Sequence, residues 1–398
     1  MMSTTPKNVR RRWIRRALLL ALFVAAVLLV REGRTHLRAA SLLLRFADPD
    51  ASGSIATFGK HPVREELAQV ETRDGSARAR VYMPEGVSDP AGVVIVHGVH
   101  RLGIDEPRLM RFSRSIAATG VAVFTPEIKE IADYRIDPRS IDTIGGAAAA
   151  LRARLGHGRV GVMGMSFAGG LALLAAADPR FESEIGFVVA VGAHHDLARV
   201  LRFFTTNQVE QPDGTKESLT AHAYGALVLV VGHMEAFVPA ADAPIARDAV
   251  RLWLAEQHRE AREKEKEASP AAQAFLDALF DSKMDIVTPA LTAVIEKDAE
   301  ETGRVSPRGH LGALKVPVYL LHGKGDTVIP AAETLWIAAE VPPRLLRGAL
   351  VSPAVVHVEL QGEPPLSERW ALVHFMAGVL DEAEAARRRC CALSGVVS

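Results

Sequence analysis

Short, wholly apolar runs alternate with longer stretches of helical spacing between residues 91 and 196. "AGVVIVHG" (91–98), "VAVFTPEI" (121–128), "RVGVMGMS" (159–166) and "FVVAVGAHHD" (187–196) are too continuous for one-faced strands. They read as strands covered on both faces, as in a parallel sheet. Between them, "EPRLMRFSRSIAATG" places Leu109, Phe112 and Ile116 a turn apart and closes at Gly120. Ser140 is expected to cap a helix with Ile141, Ile144, Ala148, Leu151 and Leu155 on one stripe, ended by Gly156. The segment from Phe167 to Ala177 predicts a helix that is apolar all round. Upstream, "REELAQVETRDGSARARVYMP" reads as two strands turning at Asp74-Gly75. Strand and helix in alternation predict an α/β class with a mostly parallel, doubly wound sheet.

The alternation breaks after Asp196. From Leu197 to Gly312 the pattern is mainly helical, and the charged "AEQHREAREKEKEAS" is a solvated helix face. Within it "ALVLVVGH" suits either a buried helix or a strand. "VPVYLLHGKGDTVIP" (316–330) restores the sheet, "LLRGALVS" predicts a last strand, and "LSERWALVHFMAGVLDEA" a closing helix. The expected division is a basic segment and signal-anchor helix over 1–33, a linker over 34–64 and a first core part over 65–196. A helical cap over 197–312, a second core part over 313–382 and a polar tail over 383–398 follow. No internal repeat is visible.

At the N-terminus, Arg10, Arg11, Arg12, Arg15 and Arg16 precede an apolar run from Ala17 to Val30. Its 14 residues fall short of the roughly 20 that span a bilayer. Trp13 and Ile14 lengthen it if Arg15 and Arg16 snorkel. The exit, Arg31-Glu32-Gly33-Arg34, offers no small-x-small cleavage site, so a retained single N-terminal span is expected rather than a cleaved signal. The leading arginines favour a cytoplasmic N-terminus and a soluble body exported to the periplasmic or extracellular side. Arg31, Arg34, Arg38 and Arg45 beyond the run oppose that orientation. Across the chain, 47 basic side chains balance 47 acidic ones, which leaves no electrostatic footprint for nucleic acid. Cys390 and Cys391 are adjacent, cannot close a loop, and leave the redox compartment open.

Chemistry collects at strand ends. Ser166 follows one strand and precedes a helix, so its hydroxyl is expected at the carboxyl edge of the sheet. There the unpaired amide of Phe167 can donate to an oxyanion. Gly164, Gly169 and Gly170 permit close packing, whereas Ala168 stands where the Gly-x-Ser-x-Gly pattern has glycine. Asp326 sits just past "VYLL", and His357 lies in "LVSPAVVHVEL". The order Ser166, Asp326, His357 is one in which histidine takes the serine proton and the carboxylate orients the ring. His97-Gly98-Val99 ends another strand, and in this arrangement the Val99 amide can be the second oxyanion donor. His374 in the closing helix competes for the base role but reads as a core histidine; His310 is a third candidate. His97 reads as structural, orienting the oxyanion loop. His194-His195-Asp196 invites a metal reading that is rejected, because consecutive side chains point different ways.

The motifs "VVIVHG", "GMSFAGG" and "LLHGKGDTVIP", with a histidine downstream, resemble the α/β-hydrolases, in particular the dienelactone-hydrolase-like branch. The resemblance covers about Glu65 to Leu380 apart from the middle insert. It implies a cofactor-free hydrolase acting on a small-molecule carboxylic ester or lactone, with Ser166 replacing the cysteine that this branch often carries. An acyltransferase or thioesterase using the same triad, or a hydrolase-fold binding protein without turnover, remain as alternatives. The cap is expected to wall the nucleophile, with Phe203, Phe204, Phe237 and Trp253 available for an apolar pocket.

Overall fold

The structure is a computed structural model that describes residues 29–72, 75–356, 359–360 and 364–389. Its main sheet takes strands β1 (Val63–Thr72), β2 (Gly75–Pro84), β3 (Ala91–Val96), β4 (Val121–Pro126), β5 (Val160–Met165) and β6 (Ile185–Val191) from the first part of the chain. A small hairpin, β7 (Gln208–Glu210) and β8 (Lys216–Ser218), lies apart in the insert; β9 (Val318–Gly323) and β10 (Leu346–Ser352) complete the main sheet. Its order is β1-β2-β4-β3-β5-β6-β9-β10. Only β1 with β2 and β2 with β4 pair antiparallel; the remaining neighbours are parallel. The β1–β2 register closes at Thr72↔Gly75, and the expected turn residue Asp74 lies outside the described residues.

Every residue of β3, β4, β6 and β9 is buried, which is why these strands read as unbroken apolar runs. Alternate side chains feed two cores. On one side, Val94, Val162, Val188 and Leu320 meet α4 (Arg139–Leu155), α5 (Phe167–Ala177) and α13 (Ala332–Glu340). On the other, Ile95, Met163, Val189 and Leu321 meet α1 (residues 29–47), α2 (Pro107–Ala117) and α14 (Leu366–Arg388). A short α3 (Lys129–Ala132) follows β4. The last short hairpin pairs β11 (Val355–Val356) with β12 (Glu359–Leu360).

Several expectations shift. Ser140 is not a cap: α4 starts at Arg139 after Pro138, and Ser140 lies buried inside its first turn. The expected 34–64 linker is in part α1, whose Ala39 and Leu42 are buried against the sheet. Arg45 is buried too, donating to Ser41 Oγ and to the carbonyls of Ala56 and Ser115, each of the latter at 3.0 Å. Short side chains on α1 allow that packing, and the arginine ties the helix to α2. The polar tail expected from 383 instead continues α14 to Arg388, with Ala383 and Ala386 buried. No described helix is long and apolar enough to cross a membrane. The expected anchor falls almost entirely on residues 1–28, outside the described residues, as do Cys390 and Cys391.

Between β6 and β9 the chain runs through α6 (Leu197–Thr206), α7 (Ala223–Gly232), α8 (Ala243–Leu254), α9 (His258–Glu265), α10 (Pro270–Phe280), α11 (Met284–Lys297) and α12 (Ala299–Arg304). "ALVLVVGH" is thus helical. Its neighbours cover it on all sides, so helix and buried strand share the same composition. The insert's two ends are fastened together. Asp196 caps α6 and accepts from Arg308 Nη1 at 2.8 Å. Glu333 on α13, 2% exposed, accepts from the amides of His195 (2.8 Å) and Asp196 (2.9 Å) and from Arg199 Nε (2.6 Å). Glu333→Ala strands two amides and a buried guanidinium, so we expect it to cost about 3–5 kcal/mol. Urea unfolding measures this, and a midpoint within error of the parent would refute the clamp.

Candidate active site

Ser166 joins β5 to α5 in a sharp turn, with φ +57° and ψ −134°. A non-glycine residue in such a conformation stores about 1–3 kcal/mol and persists only where its surroundings fix it. They do. The Ser166 amide donates to Val191 O at 2.7 Å, and its carbonyl accepts from Gly169 N at 2.8 Å. A Cβ on Gly164 would lie 2.3 Å from Ala168 O, one on Gly169 2.7 Å from Ala193 Cβ, and one on Gly170 2.3 Å from the His194 ring. The tight contacts therefore fall on these three glycines. Ala168, fully buried, is accommodated within the core. Ser166 itself is 3% exposed and lines a cavity of about 500 Å³.

The loop after β3 passes beside this turn. A Cβ on Gly98 would sit 3.4 Å from Ser166 Cβ. The buried His97 ring staples the loop: Nε2 accepts from Ile128 N at 3.0 Å, so Nδ1 carries the proton and donates to Gly98 O at 2.9 Å. Burial holds His97 below the usual histidine range. Val99 follows, and its carbonyl accepts from the Tyr224 hydroxyl at 2.6 Å. Burial raises the Tyr224 phenol, so it remains a donor. Phe167 is the first residue of α5, with its ring buried against His194. Sequence reasoning missed Tyr224, which sits in the apolar α7 and carries no local signal beyond a lone hydroxyl.

Asp326 lies in the loop after β9 and is fully buried. Its Oδ1 accepts from Val328 N (2.8 Å) and Ile329 N (2.9 Å), which fixes the carboxylate. His322 braces the same loop, donating from Nε2 to Ile329 O at 2.8 Å while Nδ1 accepts from Thr334 Oγ1 at 2.6 Å. Thr327 and Val328, next to Asp326, line the cavity with Ser166 and Val99. His357 lies outside the described residues; Val355, two positions earlier, lines the cavity. His374 is not a core histidine. It is exposed, accepting or donating at 3.0 Å to His36 and stacked beside it, and it does not line the cavity. The helical stripe misleads here because α14 buries Leu372, two positions before His374, and Phe375 and Met376, one and two positions after it. His310 is exposed and also absent from the lining.

His194 and His195 point to different partners: His194 Nε2 donates to Val305 O at 2.9 Å, and His195 Nε2 pairs with Glu340 Oε2 at 2.7 Å. Of the insert, only His222 and Tyr224 line the cavity. The expected pocket aromatics serve the insert's own core instead. Phe204 packs on Gly225, Phe237 stacks on Phe275 at 5.2 Å, and Trp253 stacks on Phe280 at 4.3 Å.

Burial lowers His97 and His194 alike. A histidine depressed in the folded state adds stability that is complete above its unfolded value near 6.5 and is lost as pH falls through the folded value. The urea midpoint should therefore drop progressively below about pH 6.5, and His97→Gln should flatten part of that slope. A midpoint constant across this window would contradict the neutral rings.

The chain matches no family model and no curated protein. Among solved structures it is similar to an esterase of Pyrobaculum calidifontis, with 18% identity over 90% of this chain and 92% of that one, at a TM-score of 0.44. A puromycin-hydrolyzing peptidase of Mycobacterium tuberculosis is 14% identical over 84% of this chain and 40% of that one, at 0.47. An acylaminoacyl peptidase of Pyrococcus horikoshii is 10% identical over 82% and 42%, at 0.44. The chain's own strand order, with β2 antiparallel, the β3–β4 exchange and the turn after β5, is the α/β-hydrolase fold.

Proposed function

We propose that the protein is a serine hydrolase that cleaves a carboxylic ester or lactone. The observation that carries the reading is Ser166, held at positive φ on the carboxyl end of β5 and opening on a cavity. In this reading Ser166 Oγ bonds to the acyl carbon while its proton passes to His357. The amides of Val99 and Phe167 donate to the oxyanion. Collapse breaks the ester C–O bond, and His357 returns the proton to the leaving alcohol oxygen. Water then repeats the sequence on the acyl-enzyme, releasing the acid and restoring the hydroxyl. Asp326, fixed by two amides, orients His357. The dienelactone-hydrolase-like branch is the proposed affiliation. A membrane tether through the run Ala17–Val30, with the body on the exported side, is the proposed location.

A fluorophosphonate probe should label the full-length protein, and Ser166→Ala should abolish the label. On a nitrophenyl ester, His357→Ala should lower kcat by about 10²- to 10⁴-fold, with His374→Ala close to the parent. Absence of labelling in the parent protein would favour a binding module. An acyl-enzyme that transfers to an added amine or thiol faster than to water would make the protein an acyltransferase.

A further inference from the structure

The cavity that holds Ser166 has two ends of different chemistry. At one end stand the polar groups His97, His100, Ser166, His222, Tyr224 and Thr327. From there the cavity follows the sheet face that looks towards α1, α2 and α14. Its floor is laid in rows by the strand register. Met165, Val191 and Leu321 stand level across β5, β6 and β9, and Met163 with Val189 form the next row, two residues deeper. At about 3.3 Å per residue, the floor reaches back roughly 7 Å along the strands.

The roof is apolar as well, one stripe per helix. Leu109 and Phe112 come from α2, and Leu372, Phe375 and Met376 from α14. Leu43 and Phe46 of α1 close the far wall, where Phe46 meets Phe112 edge to face at 5.0 Å. The charged lining residues at the start of α2, its cap Glu106 and Arg108, pair with each other at 2.7 Å.

We propose that this slot holds a linear aliphatic chain of the ester cleaved at Ser166; the chemistry rests on the serine-hydrolase reading above. A peptide in the slot would bury amide groups against side chains that supply no partner, which is costly. A hydrocarbon chain has no such need. Methionines along the slot, Met163 and Met165 in the floor and Met376 in the roof, are unbranched and adjust to a flexible chain. Leu43 and Phe46 of α1, a helix already fixed to the core by Ala39 and Leu42, supply the wall that the sheet and the other helices leave open.

The test uses the full-length protein and two ester series, nitrophenyl esters from acetyl to decanoyl and acetate esters from ethyl to decyl. The first carries the chain on the acyl side and the second on the alcohol side. In one of them kcat/KM should rise by up to about fourfold per methylene before levelling off. Binding is measured separately, as fluorescence of cis-parinaric acid with the Ser166→Ala protein and its displacement by decanoic acid. Leu43→Trp and Phe112→Trp, both at half-buried positions, should each weaken that binding and lower the long-to-short ratio by about tenfold. Thermal melts confirm that at least one of them is folded. A ratio that falls from the shortest ester in both series, with no parinarate binding, overturns the slot while leaving the hydrolase. Parinarate binding without hydrolysis of any ester or phosphonate labelling keeps the slot and overturns the hydrolase reading.

Discussion

The site depends on how closely α5 lies against β5 and the loop after β6. The Ser166 turn is strained, and strain of that kind survives only where neighbouring backbone leaves no alternative. Three glycines provide that closeness. Gly164 lets the strand meet the carbonyl of Ala168, Gly169 admits Ala193, and Gly170 admits the His194 ring. With the helix so placed, its side chains have no exposed face, and Phe167 to Ala176 are buried without interruption. One constraint therefore sets both the serine's exposure to the cavity and the composition of the helix behind it. The departure from the usual motif at Ala168 is harmless because the contact that forbids a Cβ falls elsewhere.

The loops around the turn are held by buried polar groups that are neutral or fully engaged. His97 acts as a double-ended staple between the ends of β3 and β4. His322 does the same within the Asp326 loop, and Tyr224 reaches from the insert to Val99. The fully buried ones among these bonds are made where an unmade bond costs more than a made one contributes. Such groups fix the loops to one arrangement. His97 and His322 each have both ring nitrogens committed to backbone or hydroxyl partners.

Much of this was legible in the sequence, and for a physical reason. Fully covered parallel strands give continuous apolar runs, so β3, β4, β5, β6 and β9 were visible, and their carboxyl ends located Ser166, Asp326 and the His97 loop. What periodicity does not carry is depth of burial on a long helix. α14 has apolar residues on either side of His374, yet the ring lies outside, with His36. Nor does composition say which core an aromatic joins: Phe203, Phe204, Phe237 and Trp253 went to the insert and not to the cavity. Tyr224 and the α1 wall depend on contacts between distant segments, Val99 with Tyr224 and Phe46 with Phe112, that leave no local pattern.

The division of labour between the insert and α1 reverses the usual expectation for this architecture. An insert after β6 stands over the carboxyl ends of the strands, and its two contributions to the cavity, His222 and Tyr224, are polar and lie with Ser166. The apolar wall comes from the opposite direction, from the helix that precedes the first strand. That helix continues directly from the apolar run ending at Val30, and its outward stripe keeps Val30, Leu37 and Leu44 exposed at seven-residue spacing while Leu43 and Phe46 face the cavity. One short helix thus presents apolar residues to both sides. An inward apolar stripe is accounted for by the slot. The outward one, at Val30, Leu37 and Leu44, leaves apolar side chains 38–64% exposed on the same helix that walls the cavity, so a single element divides its apolar residues between surface and site.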